Sequence, residues 1–120
     1  MQQVPALPLV YEFTRHLPPR AFIEPGERIV VESEDALAGQ IRGPNDRRDK
    51  SKVPWSNPVA GPISIHGAEP GDQLAVTIHD IASRDGRCAT YAGAPKQLGE
   101  WLGFDVPHGA HVCPISEGMI

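Results

Sequence analysis

Three acids close behind one apolar run, Glu32, Glu34 and Asp35, followed by Gly39-Gln40, are the residues whose types and spacing could serve a reaction. A carboxylate held at a strand end can reach into a cleft as a general base or as an oxygen ligand to a metal. Gln40 carries both a donor and an acceptor for a substrate, and Gly39 can bend the chain back so that Asp35 and Gln40 line one cleft. On composition alone the same acids read as a solvated loop after a strand. The five histidines are His16, His66, His79, His108 and His111. Of these, His108 and His111, with Cys113 two residues on, approach ligand spacing, but H-x-x-H in a Gly/Pro-rich loop is a weak metal signal, and surface histidines are the simpler reading. No G-x-S-x-G elbow supports a serine nucleophile, and no G-x-G-x-x-G or G-x-x-x-x-G-K loop supports a nucleotide phosphate. Cys88 and Cys113 form no C-x-x-C pair; two reduced thiols are preferred over a disulfide.

The elements that would position these residues are strands and turns. Glu24-Pro25-Gly26-Glu27 ahead of Arg28-Ile29-Val30-Val31-Glu32 is echoed by Glu69-Pro70-Gly71-Asp72 ahead of residues 73–79. In each copy proline presets φ at the first central turn position and glycine accepts the positive φ of a type II turn at the second. Leu74, Val76 and Ile78 then alternate with Ala75, Thr77 and His79, the period of a half-buried strand. Ile63 and Ile65 share that rhythm, so residues 62–67 and 73–81 are expected to form an antiparallel hairpin, with His66 and His79 as cross-strand neighbours. Residues 1–20, with Pro5, Pro8, Pro18 and Pro19, read as an extended lead-in whose role is packing, with residues 10–13 as an edge strand. Residues 42–52, with the run Arg47-Arg48-Asp49-Lys50, read as a solvated loop, with a substrate-gating loop as the sharper alternative. Leu98, Trp101 and Leu102 predict one short helix opened by Pro95 and stopped by Gly103, and residues 111–115 a further strand.

Composition bounds the class. With 120 residues, 12 Gly and 13 Pro, the chain is expected to be one turn-rich β unit over residues 1–120, because long helices are disfavoured. The expected architecture is an antiparallel β-sandwich or barrel-like unit with at most one or two short helices. A net charge of −4 argues against nucleic acid, and the lack of a long apolar run argues against a membrane span. A cytoplasmic location follows as the expectation.

Certain residues carry more than their composition. The string Asn57-Pro58-Val59-Ala60-Gly61-Pro62-Ile63, then Gly67-Ala68-Glu69-Pro70-Gly71-Asp72 and Leu74-Ala75-Val76 up to Asp80-Ile81, resembles the N-terminal part of the acetamidase/formamidase family. Pro25-Gly26-Glu27, Asp35-Ala36 and Gly39-Gln40-Ile41 resemble the same family's earlier block, in the right order. The resemblance implies a largely β amide hydrolase in which water attacks a small non-peptide amide or related C–N bond, releasing an acid and ammonia or an amine. It implies Asp35 and Gln40 as catalytic residues, Asn57 as a substrate-binding residue, and Glu32 and Asp35 as ligands to a divalent metal, zinc being favoured. Family members are much longer, so the expected partner is a complementary larger chain in an oligomer. A separately encoded subunit, a product of precursor cleavage and a truncated piece are the competing origins. Met1 suits a natural start, and Met119-Ile120 suits an end lying against a partner. The reading from a different class is a β-rich binding or regulatory module without catalysis.

Overall fold

Two turns of the same chemistry organise the N-terminal half. In residues 24–27 the Glu27 N–H donates to the Glu24 carbonyl at 3.0 Å with Gly26 at φ +83°, and the Glu27 carboxylate accepts from the Glu24 N–H at 3.0 Å. Residues 69–72 repeat this: Asp72 N–H donates to the Glu69 carbonyl at 3.1 Å with Gly71 at φ +104°, and the Asp72 carboxylate accepts from the Glu69 N–H at 2.9 Å. The sequence echo is therefore an echo of geometry, in which the acid at the fourth position ties the turn shut.

The computed structural model describes residues 1–93, 96–104 and 106–117. Its elements are β1 (Gln2–Val4), β2 (Ala21–Ile23), β3 (Ile29–Val31), β4 (Ile63–Ile65), β5 (Arg87–Ala92), α1 (Lys96–Leu102) and β6 (Gly109–Pro114). The fold is thus mainly strands with one short helix, as the Gly and Pro content predicts. β1 pairs with β3 and β2 with β4, both parallel, whereas β5 pairs with β6 in antiparallel fashion. The expectation of an antiparallel architecture is corrected for two of the three pairs. Each repeat places a strand, β2 or β4, ahead of its turn, and the two leading strands lie side by side in the same direction.

The hairpin expected over residues 62–81 is likewise corrected. Its turn forms, but β4 pairs with β2, and residues 73–81 form no strand ladder. Leu74, Val76 and Ile78 are 68%, 74% and 70% exposed, as are the residues between them, so the half-buried strand expected from their alternation is not formed. His66 and His79 are consequently not cross-strand neighbours; the His66 N–H donates to the Ile23 carbonyl and prolongs the β2–β4 ladder. The segment 10–13 contributes a single bridge, Val10 to Val59.

The single β-rich unit expected from length takes the form of two compact units interleaved in sequence: Met1–Ala38 with Val53–Thr77, and Gly39–Lys52 with Ile78–Ile120. In the first, Val4, Ala6 and Ala21 are buried, and the lead-in does pack: β1 lies within it. The Arg20 guanidinium donates to the carbonyls of Pro5, Ala6 and Pro8, and the Arg20 N–H to the Pro62 carbonyl. Backbone carbonyls that proline-rich chain leaves outside any ladder thus find a charged donor. In the second unit Ile41 is buried, and α1 ends where expected, with Gly103 at φ +74° and its N–H on the Gly99 carbonyl. Pro95, the expected helix opener, and Met119-Ile120 lie outside the described residues.

Candidate active site

β3 delivers the chain to the first acid. The Glu32 N–H donates to the Val4 carbonyl at 2.9 Å, one step beyond the β1–β3 ladder, and its side chain is exposed. Asp35 then closes a tight turn: its Oδ1 accepts from the Leu37 N–H at 2.7 Å and its carbonyl from the Ala38 N–H at 3.0 Å. A carboxylate that accepts from the backbone two residues on has a fixed direction without burial. Asp35 is exposed, and the neighbouring Glu34 is half-buried.

The structure brings Asn57 to this turn. Its N–H donates to the carbonyl of Ala36 at 2.9 Å, so two of the expected site segments meet through the backbone. Ala38 at φ +53° and Asn57 at φ +60° are both non-glycine residues in the left-handed region. Asparagine tolerates that region; alanine gains nothing from it, and its placement there costs on the order of 1–2 kcal/mol. Such outliers collect where surrounding structure holds a functional geometry.

Gln40 belongs to the second unit and is held from the far end of its loop. Its Oε1 accepts from the Asp49 N–H at 2.6 Å, which fixes the amide and leaves Nε2 as a buried donor without a hydrogen-bond partner. The loop itself is a run of side-chain-closed turns. Asp46 Oδ2 accepts from the N–H groups of Arg42 and Gly43, and Asp49 Oδ1 from the N–H and hydroxyl of Ser51. The Ser51 hydroxyl first, then the Ser51 N–H, holds the Asp49 carboxyl below its ordinary 3.8. Residues 42–52, expected as a solvated loop, are thus ordered by their own acids.

The described residues contain no group of three or more His, Cys, Asp or Glu side chains placed to hold a metal ion. Glu32 and Asp35, expected as ligands, do not make such a group, and the Asp35 Oδ1 is engaged by the backbone. His108 stacks on Tyr91 with ring centroids 6.1 Å apart, and its Nδ1 lies 3.1 Å from the Tyr91 hydroxyl. A Cβ at Gly93 would come within 2.8 Å of that nitrogen, so glycine there makes room for the pair.

A concavity lies away from these residues and escaped the sequence reading. A groove of about 390 Å³ is lined by residues that include Phe22, Glu24, Glu27, Ser64 and His66. The missed signal was the turn repeat, which sets Glu24 and Glu27 beside the end of β4. The Glu27 carboxylate is engaged by the Glu24 N–H.

Residues 8–108 match the acetamidase/formamidase family, and the chain belongs to it. A candidate formamidase from Schizosaccharomyces pombe is 32% identical over 101 residues, which are 81% of this chain and 25% of that protein. A formamidase from Methylophilus methylotrophus is 37% identical over 58% of this chain and 17% of its own length, and an acetamidase from Mycolicibacterium smegmatis 40% identical over 54% and 16%. The chain therefore spans a quarter or less of these relatives. No solved structure gives a significant match.

Proposed function

We propose that this chain is the N-terminal component of a cytoplasmic amide hydrolase that acts on a small, non-peptide amide such as formamide or acetamide together with a larger complementary chain. The observation that supports it is family membership, with relatives named formamidase and acetamidase over a small share of their length. Water adds to the amide carbonyl, the C–N bond breaks, and an acid and ammonia or an amine leave. In this reading Asp35 accepts a proton from the attacking water and Asn57 contacts the substrate, both from the first unit. In the second unit Gln40 Nε2 is enclosed and without a hydrogen-bond partner, and the catalytic role proposed for Gln40 rests on its place in the family's acidic-to-Gly-Gln block. The residues described do not form a metal centre, so no step is assigned to zinc or another divalent ion; Glu32 or Asp35 would supply at most a ligand to a centre completed by the complementary chain. That chain would also complete the β-sandwich or barrel-like domain and the oligomer.

The test is amide hydrolysis measured with and without the complementary chain, after intact-mass analysis of the purified protein. In the complex, Asp35→Asn keeps an oxygen for the Leu37 N–H and is expected to lower kcat at least about a hundredfold, while Glu34→Gln is expected to keep it. Full activity in both variants would make this chain scaffold only.

A further inference from the structure

We propose that Cys88 and Cys113 are a reversible redox pair, placed on β5 and β6 so that a disulfide oxidant such as oxidised glutathione closes them into a cross-strand disulfide. The register sets these residues directly opposite one another in the antiparallel ladder, and both thiols are free and half-buried. Directly opposed residues present their side chains on the same face of the sheet. The Ile115 N–H donates to the Gly86 carbonyl at 2.7 Å, so counting along the register places Cys88 and Cys113 in a hydrogen-bonded pair. Such pairs have Cα atoms about 5.5 Å apart, inside the roughly 4.4–6.8 Å window that a disulfide needs. The next pairs on the same face, Thr90 with His111 and Ala92 with Gly109, are all exposed, so an oxidant can approach from that side.

The chemistry is thiol–disulfide exchange. One cysteine thiolate attacks the glutathione disulfide, forming a mixed disulfide and releasing one glutathione thiolate. The second cysteine thiolate then attacks the protein sulfur of that mixed disulfide and displaces the other glutathione. Two cysteine thiols lose two electrons to the oxidant, and their two protons end on the two glutathione thiols. The new bond ties β5 to β6 across the span that carries α1 and fixes the register of the hairpin.

The test is the full chain co-expressed with its complementary chain, titrated with oxidised glutathione, alkylated and weighed intact, in buffer and in guanidinium chloride. Closure to a monomer lacking two hydrogens, reversed by dithiothreitol and at least about tenfold faster in buffer than in denaturant, is expected from the proximity the ladder imposes. Cys88→Ser is expected to stop at one glutathione adduct. Exchanging the neighbours, Val112→Cys with Cys113→Val, moves the thiol to the opposite face and is expected to abolish the rate advantage. Equal rates in the two solvents, a doubly glutathionylated or cross-linked dimeric product, or undiminished closure in the exchanged variant would each overturn the proposal.

Discussion

Gln40 and Asp49 are coupled through one hydrogen bond, and the two ends of that bond can be perturbed separately. Gln40→Glu keeps an acceptor for the Asp49 N–H but removes the buried Nε2 donor. In the assembled enzyme of the proposed function it is expected to lower kcat/KM for a small amide by about tenfold or more, and also to lower Tm, because an enclosed carboxylate oxygen is left without a donor; steady-state kinetics beside a thermal melt reads both effects. Asp49 titrates below its ordinary 3.8, chiefly through the Ser51 hydroxyl, so its contribution to loop order is fully present above that value and is lost as pH falls through the lowered one. Asp85 behaves likewise, its largest cause being the hydrogen bond from the Arg87 side chain. Ser51→Ala is expected to return the Asp49 titration toward 3.8 and to leave behaviour at neutral pH unchanged, as carboxyl NMR on aspartate-labelled protein would read. These local relations were partly legible: Asp35 and Gln40 stood out by type and position. That Gln40 would be gripped by a residue nine places on was not legible, because nothing in a mixed-charge run says which acid closes which turn.

The turn is the element most plainly written in this sequence. Pro25-Gly26 and Pro70-Gly71 specify backbone conformation through covalent geometry, which tertiary context does not override, and both turns form. Pairing is different. Ile63 and Ile65 declare a strand by alternation, but alternation carries no direction, and β4 takes β2 as a parallel neighbour instead of folding onto residues 73–81. Gly71 has open space where a Cβ would stand, so substitution there costs backbone strain alone. Gly71→Val is expected to destabilise the first unit by about 1–2 kcal/mol, and Gly71→Asn by less, since asparagine enters positive φ more readily. Thermal melts of the two variants, each co-expressed with the complementary chain, check the order; an unchanged midpoint for valine would remove the turn from the account of stability. The repeat carries a second implication. β3, which follows the first turn, has β1 as a parallel partner, whereas residues 73–81, which follow the second, have no ladder among the described residues.

For the whole molecule the question is whether 120 residues make a protein alone, and exposed area bears on it. A compact monomer of 13.0 kDa exposes roughly 6,300 Å² by the usual scaling, and this chain exposes 9712 Å². An excess of roughly 3,400 Å² is larger than the 600–1,500 Å² or so of an ordinary contact between domains, so it persists however the two units are disposed. Much of it is apolar: Leu74, Val76, Ile78 and Ile81 after the second turn, Trp101 on α1 and Phe22 on β2 are all more than half exposed. The described sheets are two-stranded, an arrangement marginal in water without further strands or a covering layer. The isolated chain is therefore expected to aggregate or to unfold without a cooperative transition, and to become monodisperse when co-expressed with the complementary amidase chain of the proposed function. Sedimentation and calorimetry on both preparations decide this. A cooperatively melting monomer at micromolar concentration would mean that the exposed segment needs no cover, and the case for a complementary chain would then rest on the lengths of the relatives alone.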